Sequence, residues 1–163
     1  MPERVPMDLA AYERRRLTGV CYICAMLAGD RDYPHETVYE DDAHIAYLSR
    51  YPTVVGYVLV APKAHIEHVV RDLAEADYLR LMGVVRRVAL AVESVLGPER
   101  TYLLSLGSQQ GNAHLHWHVA PLPTGVPYHE QQFHAVMIEK GILDRSAEDQ
   151  ADLAAQIRAA ISD

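Results

Sequence analysis

Between Asn112 and Pro121 the sequence reads NAHLHWHVAP, with histidine at every second position from His114 to His118 and Leu115, Trp117 and Val119 alternating with them. Successive side chains of a β-strand point to opposite faces. The spacing therefore predicts a strand that sets His114, His116 and His118 on one face and an apolar wedge on the other. Three uses of such a face are open. It can be a plain, half-exposed sheet surface. It can supply several ligands to one zinc that keeps a position for activated water. It can do phosphate chemistry, in which one imidazole attacks phosphorus while its neighbours and backbone N–H groups hold the oxyanion and leaving group. No Asp or Glu lies between Tyr102 and Thr124, so a carboxylate behind the imidazoles must come from elsewhere in the chain. The preceding loop, GSQQGN, suits the phosphate reading, because glycine permits turns that aim several N–H groups at one anion.

The remaining pattern predicts what that strand packs into. Residues 37–41 and 44–48 read as two strands joined at Asp41-Asp42, and the apolar run 54–61 ends at Pro62 like a strand covered on both faces. Residues 72–96 carry apolar side chains at helical spacing, among them Leu73, Leu79, Val85, Val92 and Leu96. Asp72 and Glu75 are expected to cap this helix, and Gly97-Pro98 to end it. Residues 102–106 form another strand, and 147–161 a last helix with Ser146 as its N-cap. Residues 21–27 form a short helix stopped by Gly29, and the first 20 residues look peripheral, with a surface helix near 9–17. Strands, one long helix and further strands give an α+β fold with an antiparallel sheet. Its 163 residues suffice for one domain with a proper core.

A net charge of −7 argues against a non-specific hold on nucleic acid or anionic membrane, so any phosphate must be bound by local donors. No apolar run approaches the roughly 20 residues of a membrane span, and the start lacks the apolar core of a signal peptide, which makes a cytoplasmic location the expectation. Cys21 and Cys24, spaced C-x-x-C, suggest a metal or redox pair in a reducing compartment, although two cysteines do not complete a zinc site. His65 and His68 read as surface or capping groups, and His129 and His134 as solvent-exposed.

The segment from His114 to Ala120 resembles the H-φ-H-φ-H-φ-φ signature of the histidine triad (HIT) family. Three further blocks resemble the same family in order: CYICAMLAG from Cys21, YEDD from Tyr39, and VLVAPKAHI from Val58. The resemblance implies a HIT domain over 21–123, an N-terminal extension over 1–20 and a C-terminal loop and helix over 124–163. It also implies a five-stranded antiparallel sheet with one long helix, a homodimer, and a nucleotide hydrolase or nucleotidyl transferase. The substrates implied are phosphoramidates or dinucleoside polyphosphates. His116 would be the nucleophile that forms a nucleotidyl-histidine intermediate, His118 would contact phosphate and assist the leaving group, and His114 would support the site. Gln110, Gly111 and Asn112 fall where relatives contact phosphate, and Met26, Leu27, Ser49 and Arg50 where they contact the nucleoside. A dinucleoside polyphosphate phosphorylase, a catalytically weak nucleotide-binding protein and a zinc hydrolase are the alternatives.

Three departures from the family pattern bear on function. Gly56-Tyr57 stands where many relatives have Gly-His, so a neutral phenol replaces an imidazole beside the triad. Ser49 stands in place of a ribose-binding aspartate, a weaker acceptor. Ser105-Leu106-Gly107 and Gln109-Gln110-Gly111-Asn112 alter the loop before the triad. In relatives with structural zinc, two such cysteines join two histidines, one of them implied at the position Tyr57 holds. With that ligand replaced, no cofactor is required and a structural zinc is not expected; His44 is the nearby substitute, and Cys21 and Cys24 otherwise act as small buried hydrophobes.

Overall fold

The computed structural model describes residues 3–161. In chain order the elements are β1 (Arg4–Val5), α1 (Leu9–Arg16), α2 (Tyr22–Leu27), β2 (Thr37–Glu40), β3 (His44–Leu48), β4 (Val58–Pro62) and α3 (Glu75–Leu96). They continue with β5 (Arg100–Ser105), β6 (Trp117–Leu122), α4 (Phe133–Val136), β7 (Ile142–Leu143) and α5 (Ala147–Ala160). Strands β2 to β6 form one five-stranded sheet in the order β2-β3-β4-β6-β5, every pair antiparallel. The expected α+β architecture, with one long helix and a C-terminal helix, is therefore the one observed. No helix among the described residues is long and apolar enough to cross a membrane.

The period-2 alternation of the strands sorts their side chains onto two unequal faces. Val38, Ala46, Leu48, Val58, Val60, Leu115 and Val119 turn to one side. There they pack on Leu81, Val85, Val88 and Val92 of α3 and on Leu153, Ala154 and Ile157 of α5. Each of the buried Val, Leu and Ile side chains among them stabilises the fold by about 1.5–3 kcal/mol relative to exposure. Ile45, Tyr47, Leu59 and Ala61 turn the other way and pack on Ile23 and Met26 of α2. In the sheet register Leu59 stands opposite His118, so this second face is the one that carries the triad.

Two boundaries near the site differ from expectation, each for a local reason. The central strand starts at Val58 instead of residue 54, because Gly56 turns the chain with φ +75° while the Ser49 N–H donates to the Tyr57 carbonyl at 2.8 Å. Helix α3 starts at Glu75 after Ala74, which makes no side-chain cap. Asp72 does not cap it; its carboxylate accepts instead from the backbone N–H groups of Glu67 and His68, at 3.2 and 2.9 Å. Those hydrogen bonds hold the Asp72 carboxyl below its usual range. The helix does end at Gly97, left-handed at φ 55°, and Ser146 caps α5 by accepting from the Asp149 N–H at 3.0 Å. The sequence offered no sign of the small sheet that pairs β1 with β7 and ties the N-terminal segment to the chain before α5.

Gly56 tests the turn that launches β4. A Cβ there would lie 2.2 Å from Leu96 Cδ1, on a backbone conformation that L-residues rarely adopt. Gly56→Ala is expected to lower the unfolding free energy by about 2 kcal/mol or more, read from urea denaturation; a loss within 0.5 kcal/mol would contradict this reading of the turn.

Candidate active site and metal centre

The triad is not one regular strand. Strand β6 begins at Trp117, and His114 to His116 lie in the irregular chain that leads into it. That approach is pinned by other means. The Leu115 N–H donates to the Ile66 carbonyl at 2.6 Å, and the Ser105 hydroxyl donates to the His116 carbonyl at 2.9 Å. The alternation of faces survives, with Leu115 and Val119 in the main core and Trp117 packed against it.

The three imidazoles have distinct surroundings. His114 is 1% exposed, and its Nε2 lies 2.8 Å from the Pro62 carbonyl, to which it can only donate. A proton on Nε2 leaves Nδ1 as a lone pair, and Nδ1 faces two sulfurs, Cys21 Sγ at 3.4 Å and Cys24 Sγ at 3.6 Å. His116 is 5% exposed; its Nδ1 donates to the His114 carbonyl at 2.7 Å, which leaves the Nε2 lone pair free. His118 Nδ1 lies 3.0 Å from the Tyr57 hydroxyl, and its Nε2 is buried without a hydrogen-bond partner. The His116 and His118 rings are 4.9 Å apart. Burial lowers the basicity of all three. For His118 burial and then the nearby His116 bring the pKa to about 3, and burial pushes the Tyr57 phenol up to about 12. Near pH 7 the pair is a neutral imidazole beside a neutral phenol.

On the other side of His114 a four-donor cluster appears, of which the sequence pointed only to the two cysteines. Cys21, Cys24, His65 and His114 bring one ligand atom each within 4.8 Å of one another. Cys21 caps α2, with Sγ accepting from the Cys24 N–H at 3.4 Å, so both sulfurs sit at the first turn of one helix. His65, exposed as expected, turns Nδ1 to within 3.4 Å of Cys24 Sγ, while its Nε2 donates to Glu67 Oε1 at 3.2 Å. Both imidazoles thus offer Nδ1 to the sulfurs and spend Nε2 on an oxygen behind. Glu67 is the carboxylate that the histidine segment itself lacks. Burial, then the hydrogen bond and charge of Cys21, raise the Cys24 thiol to about 11. His44 has no part in this cluster; it pairs with Asp41 at 3.1 Å. The only signal for His65 was its place in the PKAHI block.

The other expected site residues divide. Met26 is buried in the α2 cluster and Leu27 packs at its edge. Ser49 is buried and its hydroxyl oxygen accepts from the Tyr51 N–H at 3.2 Å, which shapes the turn before Gly56. Arg50 is exposed, donates to the Asp32 carbonyl at 3.0 Å and lies over the Tyr51 ring. Asn112 adopts a left-handed backbone with φ 57° and donates from Nδ2 to the Tyr12 hydroxyl at 2.7 Å. Tyr12 belongs to α1, so this helix, at the surface as expected, also reaches the loop of Gln110, Gly111 and Asn112. Tyr22, at the start of α2, sets its ring edge-on to His116 at 6.3 Å.

A HIT domain family model matches residues 30–124. An adenosine 5′-monophosphoramidase of Schizosaccharomyces pombe is 32% identical over 106 residues, which span 63% of this chain and 74% of that protein. A hypothetical histidine triad nucleotide-binding protein from Sulfolobus tokodaii superposes with a TM-score of 0.67 at 28% identity, covering 86% of this chain and 91% of that one. A zinc-bound histidine triad family protein from Mycobacterium smegmatis superposes with a TM-score of 0.64 at 25% identity, covering 86% and 92%.

The depressed basicity of His118 fixes the sign of a pH effect. The unfolded chain takes up this proton near pH 6.5 and the folded one only near 3, so the contribution to stability is full above 6.5 and lost as pH falls below it. The drop in unfolding free energy between pH 7.5 and pH 5 is expected to be smaller in His118→Asn than in the wild type by about 1–2 kcal/mol, measured by urea denaturation at both pH values. An unchanged drop would count against a neutral, buried His118.

Proposed function

Because this chain belongs to the HIT domain family, with its triad at His114, His116 and His118, we propose that it is a nucleotide hydrolase or nucleotidyl transferase acting through His116 on phosphoramidate or dinucleoside polyphosphate bonds. The observation that carries this reading is the free Nε2 lone pair of a buried, neutral His116 whose Nδ1–H is held by the His114 carbonyl. Nε2 attacks phosphorus, and as the N–P bond forms, the bond from phosphorus to the leaving nitrogen or oxygen breaks. The leaving group departs with the electron pair, and an amine takes its proton from solvent. Positive charge that develops on the ring is stabilised by the Nδ1–H bond to the His114 carbonyl. Water then attacks the same phosphorus, its hydroxyl stays on the phosphate, its proton is released, and the imidazole leaves neutral.

His118 acts beside this centre. When the Tyr57 hydroxyl donates to Nδ1, the neutral ring carries its proton on Nε2, a buried atom without a partner among the described residues. Such an N–H is a donor held for a phosphoryl or leaving-group oxygen. Gln110, Gly111 and Asn112 would supply further donors from the loop, and the α2 side, with Met26, Leu27 and Tyr22, would take the nucleoside. The likeness to the yeast monophosphoramidase supports a phosphoramidate substrate, and the likeness to the nucleotide-binding protein supports nucleotide recognition. His116→Ala is expected to lower turnover of adenosine phosphoramidate and diadenosine polyphosphates by at least about a thousandfold. Equal turnover by the two proteins would remove the catalytic assignment. Tight nucleotide binding with no wild-type turnover would select the binding-protein alternative, and a nucleoside diphosphate formed only with added phosphate would select phosphorolysis.

The donor set at Cys21, Cys24, His65 and His114 fits zinc. Tetrahedral bonds of about 2.3 Å to sulfur and 2.1 Å to nitrogen separate S from N by about 3.6 Å, and the structure spaces these pairs at 3.4, 3.4 and 3.6 Å. A bound zinc would supply a structural cross-link, since four protein donors fill its shell and leave no position for an activated water. The two cysteines and His65 would hold the ring of His114, and through its backbone carbonyl the ring of His116. The likeness to the zinc-bound mycobacterial protein supports this assignment. Protein purified without added chelator is expected to carry about one zinc per chain by elemental analysis, and Cys24→Ser to lose it together with several degrees of Tm. A metal-free wild type whose Tm zinc does not raise would overturn it.

A further inference from the structure

Helix α1 lies outside the residues that match the family model, yet it joins the two segments that flank the proposed substrate site. On the phosphate side, Tyr12 accepts from Asn112 Nδ2 at 2.7 Å, and the Arg16 guanidinium donates to the Gln110 carbonyl. On the nucleoside side, the Tyr12 ring stands edge-on to Tyr51 at 5.6 Å and Arg15 donates to the Tyr51 hydroxyl at 3.3 Å. Tyr51 is in turn held by Ser49. One short helix thus spans from the turn after β3 to the loop before the triad.

Arg16 is built into that loop. Its aliphatic stem lies on Gly111 so closely that a Cβ there would meet Arg16 Cγ at 2.0 Å and Cδ at 2.4 Å. The absence of a side chain at 111 is what lets the guanidinium rest against the loop. Its Nη1 goes to Gln110 and its Nη2 to Glu13 at 3.2 Å, while further N–H groups of the fork remain available. Arg14, Arg15 and Arg16 complete the last turn of the helix, a local excess of positive charge on a chain whose net charge is −7. Three basic residues there also complement the helix dipole. The dipole explains neither the bond to Gln110 nor the bare Gly111 beneath the stem.

We propose that α1 is a third wall of the substrate site and that Arg16 is a specificity-determining residue for substrates with phosphates beyond the one His116 attacks. This rests on the nucleotide reading above. The attacked phosphorus must reach a buried His116, so its ester and N–H partners come from the interior. On the nucleotide reading, a longer phosphate chain would extend from the attacked phosphorus toward the loop of Gln110, Gly111 and Asn112, against which Arg16 lies. A planar guanidinium matches phosphate oxygens with paired N–H donors. A phosphoramidate of a nucleoside monophosphate has no such extension and gains little from it.

The test compares adenosine phosphoramidate with diadenosine tetraphosphate in wild type, Arg16→Ala, Arg16→Lys and, as a control on the same helix, Arg14→Ala. Arg16→Ala is expected to lower kcat/KM for the tetraphosphate about tenfold more than for the phosphoramidate, mostly through KM. Arg16→Lys should recover part of the difference, and Arg14→Ala should leave both substrates as in wild type. Equal losses on both substrates would make Arg16 a structural strap only, and a gain on both would make α1 an inhibitory lid; either overturns the proposal, as does no change. If the wild type turns over neither substrate, the catalytic reading fails and equilibrium binding decides Arg16. In that case wild type must bind the tetraphosphate more tightly than AMP, and Arg16→Ala must abolish the difference. A wild type that binds neither overturns both.

Discussion

The hydrogen bond from His116 Nδ1 to the His114 carbonyl is the contact on which the site depends. On the proposed reading it fixes the tautomer of the nucleophilic imidazole, and it would make the backbone position of His114 part of the chemistry. That backbone is held from several directions. The His114 ring donates to the carbonyl at the end of β4, its other nitrogen faces the sulfurs at the start of α2, and the next residue's N–H is bonded to Ile66. Removing water from this region lowers the basicity of all three rings, which keeps Nε2 of His116 unprotonated near neutral pH. Burial costs solvation and gains a defined nucleophile.

The two faces of the sheet divide the work. One is an aliphatic contact with α3 and α5 and contains no group suited to chemistry. The other places Tyr47, Leu59 and His118 in one row across β3, β4 and β6 and covers them with α2. Because period-2 alternation ties the two faces together, the apolar spacers Leu115 and Val119 set the direction of the histidines by being pulled into the core. Tyr57 belongs to the same economy of position. Its side chain shares the site face with Leu59, two residues on, and its hydroxyl meets His118 Nδ1. A histidine there could change its charge within the physiological range. The phenol, pushed to about 12, cannot, so this chain has a pH-insensitive partner for its third histidine.

Much of this was legible in the sequence, and what was not shares a cause. The sheet, α3, α5 and the order of the blocks follow from periodicity and from Gly97 and Ser146, whose effects are local. The departures arise where a polar group took a partner that the hydrophobic periodicity does not announce. Asp72 left the helix cap for the N–H groups of residues 67 and 68. His65 is exposed as expected, but nothing around it in the sequence announces its pairing with Cys24, 41 residues away. Ser49 read as a ligand-facing hydroxyl, but its oxygen is taken up by the turn to Tyr51. The β1–β7 pair joins segments too short and too ordinary to be recognised separately.

Helix α1 shows the same limit and why it matters for specificity. Its second half is all charged, it buries none of its residues fully, and a chain segment of that composition reads as surface. What holds it is a set of individual bonds from Tyr12, Arg15 and Arg16 to the two loops at the mouth of the site. Such bonds contribute about 1 kcal/mol each, far less than the apolar core, and so add little to whether the domain folds. They act where the core has no reach, at the rim where a substrate's charged extension would enter. On the proposed reading the buried triad and the sulfurs beside it would set which bond is broken, and the weakly held helix outside the residues that match the family model would bear on which substrate presents it.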